Sequence, residues 1–191
     1  MDIYDLIVSR RTIRQFEPRP IDRKILEKIA NAGRLAPSAA NMQPLEFVVV
    51  DEEGVRKEIF SCLKWAAYIA PQGNPRPGHE PQAYAVVLVN SEIRKNMYEY
   101  DVGAAVENMI LTALGEGLAS CWLISIDKLK VAALLNIPAR YKVDSALALG
   151  YPGQESKVEE LTDSSRYWQD ADLTFHVPKR KLESIIHFNR F

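Results

Sequence analysis

Basic side chains are concentrated in one short segment near the amino-terminal end, Arg10-Arg11-Thr12-Ile13-Arg14. In an extended chain alternate side chains point the same way, so Arg10, Thr12 and Arg14 form one rail. Two guanidinium groups that flank a hydroxyl are suited to bind a phosphate with a second electron-rich group beside it. The alternative is structural: Arg10 and Arg11 offset the dipole at a helix end, and Arg14 is a solvated strand residue.

Two further segments combine turn residues with polar groups. In Pro37-Ser38-Ala39-Ala40-Asn41-Met42-Gln43-Pro44, the amides of Asn41 and Gln43 match a heterocycle edge that carries carbonyl and N–H groups. In Leu149-Gly150-Tyr151-Pro152-Gly153, the Gly-Tyr pair would let a flat ligand approach the backbone and stack on the ring. Taken alone, each segment is better explained as a plain turn.

Several catalytic signatures are missing from the sequence. It contains no GxGxxG, GxxxxGK[ST] or GxSxG motif. Its three histidines lie far apart without HExxH spacing, so we expect no metal site. Cys121 lies in the apolar run LASCWLISI, which favours a buried structural thiol over a nucleophile. The chemistry is therefore expected to depend on a bound group.

The composition limits the class of protein. The chain has 191 residues, of which 47% are hydrophobic and 26% charged, with a formal net charge of −1. These values predict one globular domain over residues 1–191. They argue against a nucleic-acid partner, and no apolar run approaches the roughly 20 residues of a membrane span. The first residues lack the features of a signal peptide, so we expect a cytoplasmic protein.

Helical and strand patterns interleave along the chain without βαβ periodicity. The sequence predicts helices over residues 3–9, 21–35, 52–65, 101–119 and 126–135, strands over 46–51, 84–90, 121–125 and 145–150, an irregular exposed connection over 71–81, and a last amphipathic piece over 181–188. The first helix is expected to bury Ile3, Leu6 and Ile7. The fold class is therefore α+β, with helices packed on a central, mostly antiparallel or mixed sheet.

The segment from Asp101 to Ala119 has apolar and small residues nearly all round the predicted helix. Such a helix must be buried on several sides. A domain of this size has little protein to cover it, so we expect a second subunit, with Gly103, Ala104 and Ala105 allowing close helix approach. The alternative is the central helix of a monomeric core.

Taken together, the motifs resemble the nitroreductase family of FMN-dependent oxidoreductases. They are RRxxR at 10–14, PSxxNxQP at 37–44, DxGAA at 101–105 and GYP at 150–152, and the resemblance extends from Ile3 to about Gly153. Residues 177–188 are similar to the basic-then-apolar ending of the family. The resemblance implies a nitroreductase-like fold and a homodimer, with the long helix at the dimer interface and FMN in two shared sites.

The resemblance also assigns roles to individual residues. Arg10 and Thr12 would hold the FMN phosphate with help from Arg11, and Arg14 would lie near the pyrimidine edge of the flavin. The other implied FMN-binding residues are Pro37, Ser38, Asn41 and Gln43 from the partner subunit, Lys64 at the pyrimidine edge, main-chain groups of Leu123, Ile124 and Ser125 near the reactive nitrogen, Gly150 and Tyr151 at the strand end, and Lys179, Arg180 or Lys181 at the phosphate.

The implied activity is a transfer of hydride in two half-reactions. NADH or NADPH would reduce FMN, and a nitroaromatic, quinone or similar small-molecule acceptor would then oxidise it. The protein needs no catalytic acid of its own, and Arg14 would act as an electrostatic stabiliser. Two alternatives stay open: a flavin-binding, redox-sensing dimer without turnover, and a structural homologue that has lost its flavin.

Overall fold

A four-stranded antiparallel sheet forms the centre of the structure, a computed structural model that describes residues 2–191. The strands are β1 (Leu45–Val50), β2 (Ala83–Asn90), β3 (Ala119–Leu123) and β4 (Tyr141–Gly150), in the order β1-β2-β4-β3. Strand β4 begins four residues before its predicted start, and β3 lies two residues earlier than predicted. The expected α+β class with a mostly antiparallel sheet is confirmed.

Helices cover both faces of this sheet. They are α1 (Ile3–Ser9), α2 (Arg23–Arg34), α3 (Glu53–Ser61), α4 (Glu99–Gly115) and α5 (Lys128–Leu134). In β2 the side chains alternate between the two layers: Ala83, Ala85, Val87 and Val89 pack with α2 and α4, and Tyr84, Val86 and Leu88 pack with α3 and α5. Because both faces are buried, β2 has a continuous apolar sequence.

Helix α4 ends at Gly115, four residues before the predicted end at Ala119. Gly117 adopts a left-handed conformation with φ +76°. The N–H of Leu118 then donates to the carbonyl of Ala113 at 2.9 Å, which closes a Schellman turn. In the sequence, the glycine of Glu116-Gly117 indicates this helix end.

Helix α3 ends at Ser61, not at the predicted Trp65. The chain leaves the helix because its backbone finds partners elsewhere: the N–H of Lys64 donates to the carbonyl of Ser125 at 3.0 Å. No glycine or proline marks this end, so the local sequence gives no warning of it.

Helix α1 has no buried residue, contrary to the prediction of a buried face. Ile3 is 72% exposed and Ile7 is 47% exposed, while Leu6 is half-buried. The apolar spacing of the helix is present, but nothing in the described part of this chain covers it.

A second, small sheet follows the main one and was not predicted. It consists of β5 (Ser156–Glu160), β6 (Trp168–Gln169) and β7 (Phe175–Lys179), with β7 in the middle. Strand β5 pairs with β7 in parallel, and β6 pairs with β7 antiparallel. After it, a single short turn of helix at Leu182–Ser184 replaces the predicted amphipathic piece.

The longest helix within residues 2–191 is α4, with 17 residues. In this part of the chain no helix is both long and apolar enough to cross a membrane.

Candidate functional site

Arg10 and Arg11 follow the end of α1 and line a cavity of about 350 Å³. The last turn of α4, the start of β3 and Ser156 at the start of β5 form its other walls. Two adjacent basic side chains predicted to bind phosphate are thus placed at one cavity. Ser156 was not predicted, because only the fold of the small sheet brings it here.

The positive charges of Arg10 and Arg11 at this cavity are only partly compensated by acidic groups. Arg10 Nε lies 3.8 Å from Glu107 Oε1, a loose contact, and Arg11 Nη1 donates to the carbonyl of Val8 at 2.9 Å. Burial, and then the neighbouring charge of Arg10, lower the pKa of Arg11. The buried Oγ of Ser156 has no hydrogen-bond partner within residues 2–191. A cavity with spare donors and excess positive charge is suited to an anion.

Thr12 and Arg14 have different neighbours in the fold. Thr12 forms a parallel bridge with Ser120 of β3, which places it beside the cavity wall. The guanidinium carbon of Arg14 instead lies 5.1 Å from the ring centre of Tyr167 and 5.2 Å from that of Phe175. The three residues of the predicted rail therefore have different neighbours in this chain: Arg10 lines the cavity, Thr12 lies beside its wall, and Arg14 packs on two aromatic rings.

Arg14 is held in an aromatic and largely buried setting. Its Nε is buried and has no hydrogen-bond partner in the described chain. Its charge also lies near the thiol of Cys121, where burial nevertheless raises the pKa to about 11. Cys121 is 2% exposed, which confirms that it is a structural thiol. Arg14 is therefore a cation held in place by aromatic packing.

The loop from Pro37 to Pro44 has a constrained backbone. Ala40, Asn41 and Gln43 have φ values of 52°, 54° and 49°, in the left-handed region. The N–H of Gln43 donates to Ser38 Oγ at 3.0 Å. The side chains of Asn41 and Gln43 are exposed, so their amides face away from this chain's core.

This loop and the two arginines lie at opposite ends of α4. The carboxylate of Asp101, near the start of α4, accepts from the N–H of Ala39 in the loop at 3.1 Å. Leu114, in the last turn of α4, lines the cavity with Arg10. At about 1.5 Å rise per residue, Asp101 and Leu114 are roughly 20 Å apart along the axis. One chain therefore separates the loop, whose amides are expected at the isoalloxazine or ribityl groups, from the cavity expected to hold the phosphate.

Lys64, Ile124 and Ser125 lie together in the structure. They line a cavity of about 480 Å³ between the end of α3 and the segment after β3. Leu123 is buried in the core and does not line it. Lys130 of α5 lines the same cavity; its sequence context is that of an ordinary lysine on a helix surface, so nothing pointed to it.

The late basic residues do not reach the Arg10–Arg11 cavity in this chain. Lys179 pairs with Glu160 at the far end of β5, and Lys181 Nζ lies 2.9 Å from Glu160 Oε1. Glu160 is roughly 13 Å along the strand from Ser156 at about 3.3 Å per residue. Arg180 is exposed. The structure thus does not bring Lys179, Arg180 or Lys181 to the cavity.

Gly150 and Tyr151 are occupied by contacts within the chain. A Cβ at Gly150 would lie 2.7 Å from Phe16 Cδ1, so glycine is required here for the approach of Phe16. The guanidinium carbon of Arg19 lies 3.8 Å from the ring centre of Tyr151. The expectation that Gly150 lets a flat ligand approach the backbone is therefore corrected, because Phe16 occupies that space, while the stacking role of Tyr151 stays a prediction.

The connection over residues 71–81 is partly anchored and not wholly exposed as predicted. Gln15 is 3% exposed, and its Nε2 donates to the carbonyl of Asn74 at 2.8 Å. Gln15 Oε1 accepts from the N–H of Arg76 at 3.0 Å. Between this connection and the turn at 168–173 lies an open cleft of about 950 Å³. Gln15, next to Arg14 in sequence, was missed as the anchor.

His176 links the strands of the small sheet. Its Nδ1 lies 2.6 Å from Glu159 Oε1, and its Nε2 lies 3.0 Å from Asp170 Oδ2. The ring stacks on Trp168 with centres 3.9 Å apart and 4° between the planes. Hydrogen bonds to Asp170 and then Glu159 raise the pKa of His176, and the bond from His176 lowers the pKa of Asp170.

We expect this network to stabilise the protein in a defined pH window. The raised pKa of His176 means that its contribution is complete below the ordinary value of 6.5 and is lost as the pH rises through the folded-state pKa. The lowered pKa of Asp170 means that its contribution is present above 3.8 and is lost as the pH falls further. The melting temperature of His176→Gln, compared with the wild type from about pH 4 to about pH 9, should show its largest deficit near about pH 6. A deficit that does not change with pH would contradict this assignment.

Residues 7–151 match the sequence model of the Nitroreductase family. The chain belongs to the nitroreductase family. A protein of Archaeoglobus fulgidus assigned as an NADH dehydrogenase/NAD(P)H nitroreductase is 32% identical over 167 residues, which cover 83% of this chain and 90% of that protein. A 5,6-dimethylbenzimidazole synthase of Rhodospirillum rubrum is 27% identical over 179 residues, with 80% and 82% covered.

The fold agrees with a solved nitroreductase structure. The FMN-dependent nitroreductase of Clostridium difficile R20291 superimposes with a TM-score of 0.72 at 23% identity, over 97% of this chain and 98% of that one. As a member of the nitroreductase family, the chain is an oxidoreductase. The small sheet, which contains His176, and Tyr167 just before its strand β6 lie after the region that matches the family model.

Proposed function

We propose that this protein is an FMN-dependent oxidoreductase that takes hydride from NADH or NADPH and passes it to a nitroaromatic, quinone or similar acceptor. The observation that carries the proposal is the cavity of Arg10 and Arg11, which has excess positive charge and the buried hydroxyl of Ser156, without a hydrogen-bond partner among residues 2–191. A phosphate dianion supplies the missing acceptors and charge. The Clostridium difficile protein with the same fold is named FMN-dependent.

The position of the loop supports a homodimer with shared sites. Asn41 and Gln43 are exposed in a loop held at Asp101, which is roughly 13–20 Å along α4 from the helix residues that line the cavity expected to hold the phosphate. A second copy related by two-fold symmetry would supply its own loop to this cavity and receive the reciprocal contact. Each site would then be built from both subunits.

Exposed apolar side chains supply a surface for that second copy. In α1 these are Ile3, Tyr4, Ile7 and Val8, and near the carboxyl-terminal end they are Leu182, Ile185, Ile186 and Phe188. Contiguous apolar surface of this kind is typical of protein–protein interfaces. We propose that both segments are buried between the subunits.

The residues have distinct tasks in the proposed site. The phosphate would be bound by Arg10, Arg11, Thr12 and Ser156. The pyrimidine edge would face Arg14 and Lys64, and the reactive nitrogen would face main-chain groups of Ile124 and Ser125. The second copy would complete the site with Pro37, Ser38, Asn41 and Gln43. FMN, when bound, supplies the hydride chemistry. The chain's own contribution is binding, orientation and electrostatics.

Arg14 is the residue proposed to tune the cofactor. Its guanidinium lies against the rings of Tyr167 and Phe175, which shield it from solvent. A fixed cation at the pyrimidine edge stabilises the reduced, more negative state more strongly than the oxidised state. Arg14 therefore favours acceptance of hydride without itself transferring a proton.

The purified protein should be yellow, contain equimolar FMN, and oxidise NADH or NADPH in steady state when a quinone or nitroaromatic compound is added. The visible spectrum and the loss of nicotinamide absorbance measure the two properties separately. A yellow protein without turnover would be a flavin-binding redox sensor. A colourless protein that takes up no added FMN would be a structural homologue without flavin.

A further inference from the structure

A buried carboxylate lies against the loop from Pro37 to Pro44. Asp101 is 4% exposed and belongs to the first turn of α4. Its Oδ1 accepts from the N–H of Ala39 at 3.1 Å, and its Oδ2 accepts from Arg94 Nη1 at 3.2 Å. One oxygen of the carboxylate therefore holds the loop, and the other is held by a cation.

Arg94 is itself fixed in place, with its side chain 12% exposed. Its Nε donates to the carbonyl of Asn96 at 3.1 Å, and its Nη2 donates to the carbonyl of Met97 at 2.8 Å. These bonds leave the guanidinium little freedom to move, so Asp101 is held firmly as well. A charged acceptor in a buried place also binds an N–H more strongly than a neutral one does.

The loop needs such an anchor because its backbone is unfavourable. Ala40, Asn41 and Gln43 all adopt left-handed φ values, which cost free energy for residues other than glycine. Besides the backbone bonds within the loop, two side-chain acceptors oppose relaxation of this backbone: Asp101 accepts from Ala39 N–H, and Ser38 Oγ accepts from Gln43 N–H.

We propose that Asp101 is a positioning residue for FMN: its buried carboxylate holds the loop in the conformation that presents the amides of Asn41 and Gln43 to the cofactor at the second subunit. This inference rests on the proposed function. Asp101 acts through the N–H of Ala39 and has no contact with the cofactor. The ion pair with Arg94 thus serves recognition as well as stability.

The test is a double-mutant cycle read as the dissociation constant for FMN, measured by quenching of flavin fluorescence. Asp101→Asn removes the charge at nearly constant volume and is expected to raise the dissociation constant about tenfold. In a background that carries Asn41→Ala and Gln43→Ala, the same substitution should change it less than about twofold, because the groups it positions are gone. An equal change in both backgrounds, or no change in either, would overturn the proposal.

Hydrogen exchange of segment 37–44 gives a second readout that needs no cofactor. Asp101→Asn should accelerate exchange at Ala39, and unchanged exchange would refute the anchor whether or not FMN binds. The control is Asp51→Asn, which breaks an exposed ion pair with Arg23 and should alter neither readout. A third outcome separates the two proposals. If the wild type binds no FMN but Asp101→Asn still accelerates exchange at Ala39, the proposed function is refuted, and the role of Asp101 in holding the loop is retained.

Arg94→Lys replaces Asp101→Asn if the latter does not fold. Lysine keeps the charge but cannot contact Asp101 and the carbonyls of Asn96 and Met97 together. The carboxylate is then held less firmly. We expect the dissociation constant for FMN and the rate of exchange at Ala39 to rise as in Asp101→Asn, but by less. If Arg94→Lys has the wild-type dissociation constant for FMN and the wild-type exchange rate at Ala39, the proposal is likewise overturned.

Discussion

Arg10→Ala is expected to raise the dissociation constant for FMN by about ten- to a hundredfold. A hydrogen bond to a charged group contributes about 1.5–3 kcal/mol, and each 1.4 kcal/mol is about a factor of ten in affinity. Within residues 2–191 the ionic partner of Arg10 is Glu107, at 3.8 Å. The guanidinium is therefore free to bind phosphate, and its removal costs little inside the chain. Titration of flavin-free protein with FMN, followed by flavin fluorescence, measures the effect.

Arg23→Ala is the matched control for this experiment. Arg23 lies in α2, and its Nη2 is 3.0 Å from Asp51 Oδ2, in an exposed ion pair away from the cavity. Its removal takes the same charge from the protein and should leave the affinity for FMN unchanged. If Arg10→Ala binds FMN as tightly as the wild type does, the phosphate lies elsewhere.

Arg14→Ala is expected to retain some FMN but to lower its midpoint potential by about 30–60 mV, since about 30 mV corresponds to 1.4 kcal/mol for two electrons. The buried Nε has no partner in the described chain, and the rings of Tyr167 and Phe175 lie close to the guanidinium. A charge shielded from water acts more strongly on its neighbours. Reduction in equilibrium with a reference dye of known potential gives the measurement.

Two variants separate charge from packing in that experiment. Arg14→Lys keeps a cation and should shift the potential less than Arg14→Ala does. Arg19→Ala removes an exposed arginine that stacks on Tyr151, and should leave the potential at the wild-type value. An unaltered potential in Arg14→Ala would exclude Arg14 from the pyrimidine edge.

The main sheet and the long helix could be predicted because their residues carry the pattern themselves. Strand β2 is apolar from Ala83 to Val89 since helices cover both of its faces, and α4 has small and apolar residues on most of its surface. The end of α3 could not be predicted in this way. It depends on a backbone bond from Lys64 to Ser125, which is distant in sequence.

The small sheet was not predicted because its pairing also depends on contacts between residues that are distant in sequence. Strand β6 has two residues, Trp168 and Gln169, and β5 pairs in parallel with a strand that follows after a long connection. The pairing is held by His176 between Glu159 and Asp170, contacts that no short repeat in the sequence reveals.

The candidate site also combines residues whose position depends on local sequence with residues whose position depends on the tertiary fold. Arg10 and Arg11 line one cavity because neighbours in sequence stay neighbours at the end of a helix. Ser156 and Asp101 were not assigned to it, because their roles depend on tertiary placement: a sheet brings one to the cavity, and the other reaches a loop from the start of α4.

The placement of loop and arginines at opposite ends of α4 has a genetic consequence under the proposed dimer. A chain damaged at Arg10 and a chain damaged at Gln43 can assemble with each other. In that mixed assembly one site inherits both lesions and the other inherits neither. Two individually inactive alleles would then complement in the same cell and restore up to half of the sites in each mixed dimer.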